Sequence, residues 1–471
     1  MQPENLKFGG GPNLQVVHPL VLIALLVAAA LILFLPKRHV IVPVLVMAFM
    51  VPIGQQFYVG GLHVLILRIV ILIALIRALF SMIFSRVRGF AGGFGSVDKV
   101  FLVWTFFHVV TFFFLFSFQS GAVVNQLGFV WDTAGGFLVM RFLIQDEGDI
   151  ERVIKSFAFI AGILAVCMLN ERFRMQNIFG FLGGMPIVPE TRDGLVRAQA
   201  AFSHPLLAGT FGATLLPLFF LLWHGGKSKA LAVAGIASAT IMVICASSST
   251  PFLAYAAGIG AVCFWPFRGQ MRIFRWGIVF AALALHLVMK APVWFLIAHI
   301  SLFGSSSSDH RAYLVDTFIK HFADWWLVGT NDAGKWGWGM WDTSNQFIAE
   351  GEGGGLVCFA LFLAMISFCF SRIGKARKAL EGDRAKEWYF WFLGAALFAN
   401  VVGFFGVSYF DQTKVMWFAL LAVICTATSS ILGVKELAEQ PDDGSLVNSR
   451  FAPVSPSPDR KTSQVYPYKH A

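Results

Sequence analysis

Long apolar runs separated by short polar connections dominate this sequence. A helix that crosses a bilayer needs about 20 mostly apolar residues, and most of the runs reach or approach that length. Because a helix satisfies its own backbone hydrogen bonds where no water is present, the pattern predicts an all-α polytopic membrane helix bundle of about 12–13 transmembrane helices. The predicted spans are 17–35, 40–53, 62–84, 100–118, 121–144, 156–170, 206–223, 230–247, 251–267, 277–299, 347–370, 389–408 and 415–433.

Composition excludes the other broad classes. Hydrophobic residues make up 57% and charged residues 13% of the chain, whereas a soluble domain is about 25% charged. One water-soluble core, a disordered chain and a fibrous protein are therefore excluded. All six cysteines lie in apolar runs, so we expect neither disulfides nor a zinc site. The N-terminus lacks a cleavable signal pattern, and we expect the first run to be retained as a helix.

The weakest predicted span is 40–53. It is short, and Pro43 and Pro52 lie near its ends. These features leave open a re-entrant segment, which would invert the orientation of everything after it.

Lysine and arginine indicate the orientation of the chain. With the N-terminus outside and the C-terminus inside, the inside loops carry about twice as many of them as the outside segments, as the positive-inside rule requires. The net charge of +10 is then explained by cytoplasmic loops that contact anionic lipids. It requires no nucleic acid as a partner.

The chain is predicted to form a single transmembrane domain, 1–433, followed by a tail, 434–471. The tail is rich in proline, serine and charge and is predicted to be disordered and cytoplasmic. Two long outside loops, 171–205 and 300–346, interrupt the domain, and the second is predicted to be largely helical. Long ordered loops often carry function.

The first loop ends at the mouth of a span. Arg197 comes shortly before His204-Pro205. Pro205 suits the first turn of a helix, with Ser203 as its predicted N-cap. The exposed N-terminus of such a helix favours an anionic group.

The second loop contains three features. Residues 309–327 have apolar positions at helical spacing and predict an amphipathic helix on the membrane surface. A Trp- and Gly-rich stretch, 334–341, includes Trp338 and suits either stacking on sugar rings or an interfacial aromatic belt. Polar residues then lead into the next span: Asp342, Ser344, Asn345, Gln346, Glu350 and Glu352.

A few charged residues fall within predicted spans. Arg68 lies about two turns inside its span, where it either snorkels or contacts a lipid carrier. Arg77 and Arg141 lie near inner ends and are predicted to snorkel. Asp132 is the only acid within a span, and it either pairs with an intramembrane arginine or lies near the outer surface.

These features together resemble the O-antigen ligase and O-antigen polymerase superfamily of bacterial inner-membrane proteins, over roughly residues 100–370. The resemblance depends on Arg197 with His204-Pro205 before a small-residue span, followed one span later by the polar stretch 247–250. It depends also on Arg311 at the start of the loop helix, and on Asn345 and Glu350 before a Gly-rich helix entry. The family usually has a His-Asn pair where this chain has Ser344-Asn345.

The resemblance implies a glycosyltransferase at the periplasmic face. It would move a glycan from an undecaprenyl-pyrophosphate carrier to an acceptor glycan or a lipid-anchored core sugar, with no metal and no cofactor. Arginine suits bidentate contact with phosphate. The implied catalytic residues are Arg311, Arg197, Asp342 and Glu350, and the implied substrate-binding residues are His204, Arg68, His310, Trp338 and Asn345. Because the family histidine is missing, the base remains open among Asp342, Glu350, His310 and His321.

Two other functions remain open at this point. One is a transporter or flippase of lipid-linked sugars or other solutes, which usually places ionisable groups midway through its spans. The other is an inactive scaffold in an envelope assembly, for which the missing family histidine is the only support. The sequence does not separate a ligase from a polymerase.

Overall fold

The computed structural model describes residues 16–60, 62–84, 89–299 and 306–438. Within these ranges the chain is an all-α polytopic helix bundle, as the sequence predicts. Its helices, numbered in chain order, are α1 Pro19–Phe34, α2 Ile41–Met50, α3 Ile66–Phe84, α4 Ser96–Phe116, α5 Ser120–Val130, α6 Gly136–Leu143, α7 Glu147–Arg174, α8 Pro205–His224, α9 Lys229–Ala246, α10 Ser249–Cys263, α11 Met271–Val288, α12 Ser306–Lys320, α13 Phe322–Trp325, α14 Gln346–Ala379, α15 Arg384–Phe404 and α16 Gln412–Ala438.

Nine of the helices in the described ranges are long and apolar enough to cross a membrane. They are α3, α4, α7, α8, α9, α11, α14, α15 and the part of α16 up to residue 433. Helices α1 and α10 are apolar but shorter, with 16 and 15 residues. One π-helical turn, Trp131–Gly135, joins α5 to α6. The chain is therefore a multi-pass membrane protein.

The segment predicted at 40–53 returns along the whole length of α1. The backbone N–H of His18, at the start of α1, donates to Oε1 of Gln55 at 2.8 Å. Gln55 follows the end of α2, and its side-chain amide donates to the carbonyls of Leu182 and Gly183 at 2.7 and 2.8 Å. Because the chain after α2 lies beside the start of α1, α2 and its extension run antiparallel to α1 and do not turn back halfway.

Two short antiparallel hairpins lie among the helices. Strands β1 Gln56–Val59 and β2 Leu62–Leu65 pair between α2 and α3. Strands β3 Glu190–Arg192 and β4 Leu195–Arg197 pair between α7 and α8, and their register places Glu190 opposite Arg197. Both hairpins belong to connections at one end of the bundle.

The bundle has two ends of different character. Hydrogen bonds from Arg172 to Ser247 and from Thr250 to Gly406 join connections at one end, which we call the loop end. The loop end comprises 51–60, 62–65, 175–204, 289–299, 306–345 and 405–411. We call the other end the basic end. It comprises 35–40, 89–95, 144–146, 225–228, 264–270 and 380–383.

Small residues allow close helix packing near the loop end. A β-carbon on Gly209 of α8 would lie 2.6 Å from the side chain of Ala246 and 2.7 Å from that of Pro251. Real β-carbons do not approach other atoms this closely, so α8 packs against α9 and α10 at this level only because Gly209 has no side chain. This packing holds the start of α8 against the loop end.

Arg141 does not snorkel, so that prediction is wrong. Its side chain is buried in α6, and its Nε donates to Oδ1 of Asp98 at 2.6 Å. Asp98 lies in the first turn of α4, just before the apolar run from which the span was predicted. The pair neutralises both charges and makes burial possible. Arg77 instead donates to main-chain carbonyls at the end of α1, including that of Ile32.

The loop helix also differs from its prediction. Helix α12 ends at Lys320 and α13 follows, where one helix over 309–327 was expected. Its apolar side chains Leu314 and Phe318 pack with Trp325, Met340 and Ile348. The protein itself therefore covers much of the face that was predicted to lie on the membrane. At the end of the chain, α16 continues to Ala438, into the predicted tail, and 439–471 lie outside the described residues.

Candidate functional site

Arg197 occupies the last position of β4 at the loop end. Its side chain is only 7% exposed, and its Nη1 donates to Oε1 of Glu190 at 2.7 Å. The β3–β4 register explains this pair, because it places the two residues opposite each other. The Nε of Arg197 is buried without a hydrogen-bond partner. One donor of this guanidinium is therefore left for another acceptor.

Arg311 lies in α12, and its side chain is buried as well. Burial, together with the charges of Arg192 and Arg197, lowers the pKa of Arg311 to about 10, and Asp342 opposes this shift. Within the described part of the chain, Arg311 forms no ion pair with a carboxylate, and its buried Nε lacks a hydrogen-bond partner. The charges of Arg192 and Arg197, from the connection between α7 and α8, thus act on Arg311 in α12. We call these three residues the arginine cluster.

His204 lies at the border of the arginine cluster and forms the N-cap of α8. Its Nδ1 accepts the N–H of Leu206 at 3.1 Å, so the neutral ring carries its proton on Nε2. Nε2 lies 3.8 Å from Oε2 of Glu190. Burial lowers the pKa of His204, and so does the charge of Arg197, while Glu190 and Asp342 oppose the shift.

Ser203 is not the N-cap that was predicted from the sequence. Its hydroxyl donates to Oδ2 of Asp411 at 2.6 Å. His204 caps the helix instead, because its imidazole reaches the free N–H group that the serine hydroxyl would have bound.

Asp342 and His310 complete this part of the site. Asp342 is exposed, and its charge acts on both Arg311 and His204. Nε2 of His310 lies 3.1 Å from the main-chain carbonyl of Asp342. Since a carbonyl only accepts, Nε2 carries the proton and Nδ1 of the neutral ring is an acceptor. The structure therefore places Arg197, Arg311, His204, His310 and Asp342 in one region of the loop end.

Glu350 lies elsewhere, inside the bundle in the first turns of α14. One carboxylate oxygen accepts the indole N–H of Trp104 at 2.7 Å and lies 2.8 Å from Nε2 of His108. The other accepts the side-chain amide of Gln346 at 2.6 Å. We call these four residues the Glu350 network.

A cavity of about 30 Å³ adjoins the Glu350 network, which is room for about two water molecules. Its polar lining includes Thr133 and Lys414 as well as Glu350 and Gln346. Sequence reasoning missed His108, Trp104 and Lys414. The available signal was His108, a titratable group within the Phe-rich apolar run of α4.

Asp411 interacts with neighbours of both regions, Ser203 beside His204 and Lys414 in the lining of the cavity. It accepts from Ser203, the neighbour of His204, and its surroundings include Lys414 and Asp132. Burial raises the pKa of Asp411; the Ser203 hydrogen bond and Lys414 oppose the shift, and Asp132 adds to it. Asp411 was not among the residues predicted from the sequence.

Three predicted site residues have other contacts. Asn345 caps α14, with Oδ1 accepting from the N–H groups of Phe347 and Ile348 at 2.9 and 3.3 Å. Arg68 pairs with Asp132 through bonds of 3.0 Å from Nε and 2.8 Å from Nη2; of the two alternatives left open for Asp132, the structure shows the pairing with an arginine. Trp338 is 98% exposed.

The described residues contain no group of three or more histidine, cysteine or acidic side chains arranged to hold a metal ion. No family model matches the chain, and no curated protein matches it.

Proposed function

We propose that the protein is a membrane glycan ligase or polymerase. It transfers a polysaccharide from an undecaprenyl-pyrophosphate carrier to an acceptor sugar at the loop end of the bundle. We assign that end to the periplasmic face of a bacterial inner membrane, because its connections carry fewer lysines and arginines per residue than those of the basic end. The proposal needs no metal and no cofactor.

The arginine cluster is the observation that carries this proposal. The charges of Arg192 and Arg197 both act on Arg311; Arg197 is paired with Glu190, and Arg192 lies 3.9 Å from Asp193. The Nε atoms of Arg197 and Arg311 are buried without partners, and each unsatisfied buried donor costs about 1–3 kcal/mol. A diphosphate would relieve both costs, because it supplies negative charge and several acceptor oxygens. Such a group at a membrane surface is what a polyprenyl carrier presents.

The reaction is a substitution at the anomeric carbon of the donor glycan. The acceptor hydroxyl oxygen forms a bond to that carbon, and the bond from the carbon to the diphosphate oxygen breaks. The electron pair leaves with the lipid diphosphate, whose charge the arginine cluster stabilises. The hydroxyl proton passes to a base, and nothing is oxidised or reduced.

Asp342 is the best base among the open candidates. It is an exposed carboxylate whose charge acts on Arg311, so it borders the diphosphate pocket. His321 is already engaged, because its Nδ1 lies 2.9 Å from the carbonyl of Thr317 and its ring stacks on Trp336. Glu350 is engaged by several donors inside the bundle. His310 borders Asp342 and positions it through the main chain.

The test is transfer of a lipid-linked glycan by purified protein in lipid. R311A and R197A should each lower the rate by about 100-fold or more, the size typical of losing one group that stabilises transition-state charge. R384A is the matched control, because Arg384 is an exposed arginine near the basic end. Full activity in both R311A and R197A would contradict the proposal. Adding a lipid-anchored core sugar, or a second carrier-linked chain, separates ligase from polymerase by the product.

A transporter or flippase is the second candidate, and two features favour it. Arg68 in the first turn of α3 pairs with Asp132 in the π-helical turn between α5 and α6, and Glu350 of α14 lies 2.8 Å from His108 of α4. Ionisable groups inside a membrane bundle often mark substrate or ion pathways. Proteoliposomes separate the two functions: movement of an intact lipid-linked sugar across the bilayer, with no new glycosidic bond, would favour the transporter.

A further inference from the structure

An aromatic groove opens at the basic end, opposite the arginine cluster. It has a volume of about 450 Å³, within the range of small-molecule sites. The ends of four helices, α8, α9, α10 and α15, form it. The groove is lined by Phe220, Trp223, His224, Gly226, Lys229, Val262, Trp388 and Phe392.

The walls of this groove are held in place by stacked rings. Trp388 stacks on Trp265 with centroids 4.0 Å apart, and Phe392 lies 5.2 Å from Trp388. Trp223 is 45% exposed at the rim. Tryptophan prefers the level of lipid headgroups, so these rings place the groove at the membrane interface. Its apolar walls suit the glycerol and the first methylenes of a lipid.

The charge of the groove is positive. None of its lining residues is acidic, and Lys229 makes no ion pair within the described ranges. The nearest acid in sequence to Trp388 is Glu387, which is already paired with Arg268 at 3.1 Å and lies 3.9 Å from Arg377. Lys229 also begins α9, and Ser228 makes no side-chain capping hydrogen bond there. The cation and the free helix N–H groups therefore both favour an anion.

We propose that this groove binds one anionic glycerophospholipid. The phosphate contacts Lys229 and the first turn of α9, and the glycerol and upper acyl chains lie along Phe220, Trp388 and Phe392. Basic pockets between helix ends hold acidic lipid headgroups in this way. This site is independent of the proposed transferase activity and lies at the other end of the bundle.

Native mass spectrometry of the full chain tests the site, with phosphatidylglycerol and phosphatidylcholine of matched acyl chains as probes. The unsubstituted protein should retain one phosphatidylglycerol more tightly than phosphatidylcholine. K229Q should bind phosphatidylglycerol about fivefold more weakly, the factor expected for one cation near an anionic lipid. K229R should restore binding. K227Q is the matched control, since Lys227 is exposed nearby but does not line the groove.

W223A tests the apolar wall separately. Because this substitution removes contact area but no charge, it should weaken the binding of phosphatidylglycerol and of phosphatidylcholine by similar factors. Equal retention of the two lipids by the unsubstituted protein would overturn the proposal. So would equal losses in K229Q and K227Q, which would indicate attraction to the whole basic end and no built site.

Discussion

Nε2 of His108 lies 2.8 Å from a carboxylate oxygen of Glu350, which joins α4 to the first turns of α14 inside the bundle. The same oxygen accepts the indole N–H of Trp104. Both partners lie on one helix and are separated by one turn, so a single face of α4 holds the carboxylate. The contact gives the loop end of α14 a fixed polar anchor.

The Glu350 network should be important for stability. E350A leaves Trp104, His108 and Gln346 without their shared acceptor. We expect the free energy of unfolding to fall by about 3 kcal/mol, since unsatisfied buried polar groups cost about 1–3 kcal/mol each. Thermal unfolding in detergent measures the effect. E381A is the control, because Glu381 is exposed, and equal melting temperatures for the two variants would refute a structural role.

Arg68 and Asp132 should be coupled energetically. R68A and D132A each leave a partly buried charge without its partner, whereas the double variant leaves neither. A double-mutant cycle should therefore give a coupling energy of about 1–2 kcal/mol, within the range for residues in direct contact. The measurement is the melting temperature of the four proteins. Additive single effects would show that the pair contributes nothing beyond its separate residues.

Arg311 should remain charged where a lysine would not. Burial and the neighbouring arginines lower the pKa of Arg311 to about 10, so the unsubstituted protein keeps this charge at neutral pH and above. A lysine starts from a pKa of about 10.4 and would be lowered by the same causes. R311K should therefore lose glycan transfer as the pH rises from about 7 to 9, while the unsubstituted protein changes little. Parallel pH profiles would contradict this expectation.

His204 should make the stability of the folded protein fall as the pH is lowered. Its pKa is lowered in the folded protein, so the unfolded chain binds the proton more readily. Its contribution to stability is complete above its ordinary pKa of about 6.5 and is lost as the pH falls below that value. H204N keeps a good N-cap but does not titrate. The drop in melting temperature on acidification should be smaller in H204N than in the unsubstituted protein; an identical drop would exclude this contribution.

Gly355 should tolerate no side chain. Its φ is +67°, and a β-carbon would lie 2.6 Å from the carbonyl oxygen of Leu327. G355A should therefore lower the melting temperature by forcing the 326–330 connection away from α14. G374A, in the same helix, is the matched control, because a β-carbon on Gly374 meets nothing within 4 Å; it should remain within about 1 kcal/mol of the unsubstituted protein. Similar losses of melting temperature in G355A and G374A would show that any side chain added to α14 destabilises the protein, and would exclude the close contact at Gly355 as the cause.

Hydropathy predicts the helices well because each apolar run must satisfy its own backbone in lipid. The same reasoning fails at Arg141, where a charge at the end of an apolar run was expected to reach water. Its partner, Asp98, lies on a different helix. Pairing between distant helices leaves no periodic signal in one sequence, so burial of this charge could not be predicted from its position.

In the candidate site, too, some features follow from the sequence and others depend on packing between helices. Arg197, Arg311 and Asp342 could be selected from the sequence through the motifs of the resemblance, and the two arginines also because arginine suits contact with a diphosphate. Asn345 and Glu350 matched a motif, yet Asn345 forms a helix cap and Glu350 is buried against His108. A sequence pattern records residue type and spacing, whereas the direction of a side chain depends on which helix packs beside it.

The start of α14 links the two polar regions of the protein. Asn345 caps this helix and donates to the carbonyl of Phe405. Asp342 precedes this cap by three residues, and Glu350 follows it by five. The exposed carboxylate of Asp342 and the buried carboxylate of Glu350 therefore both depend on the position of the capped start of α14. A tilt of this segment would displace both carboxylates together. Binding of a diphosphate at the arginine cluster would then change the hydration of the cavity beside the Glu350 network.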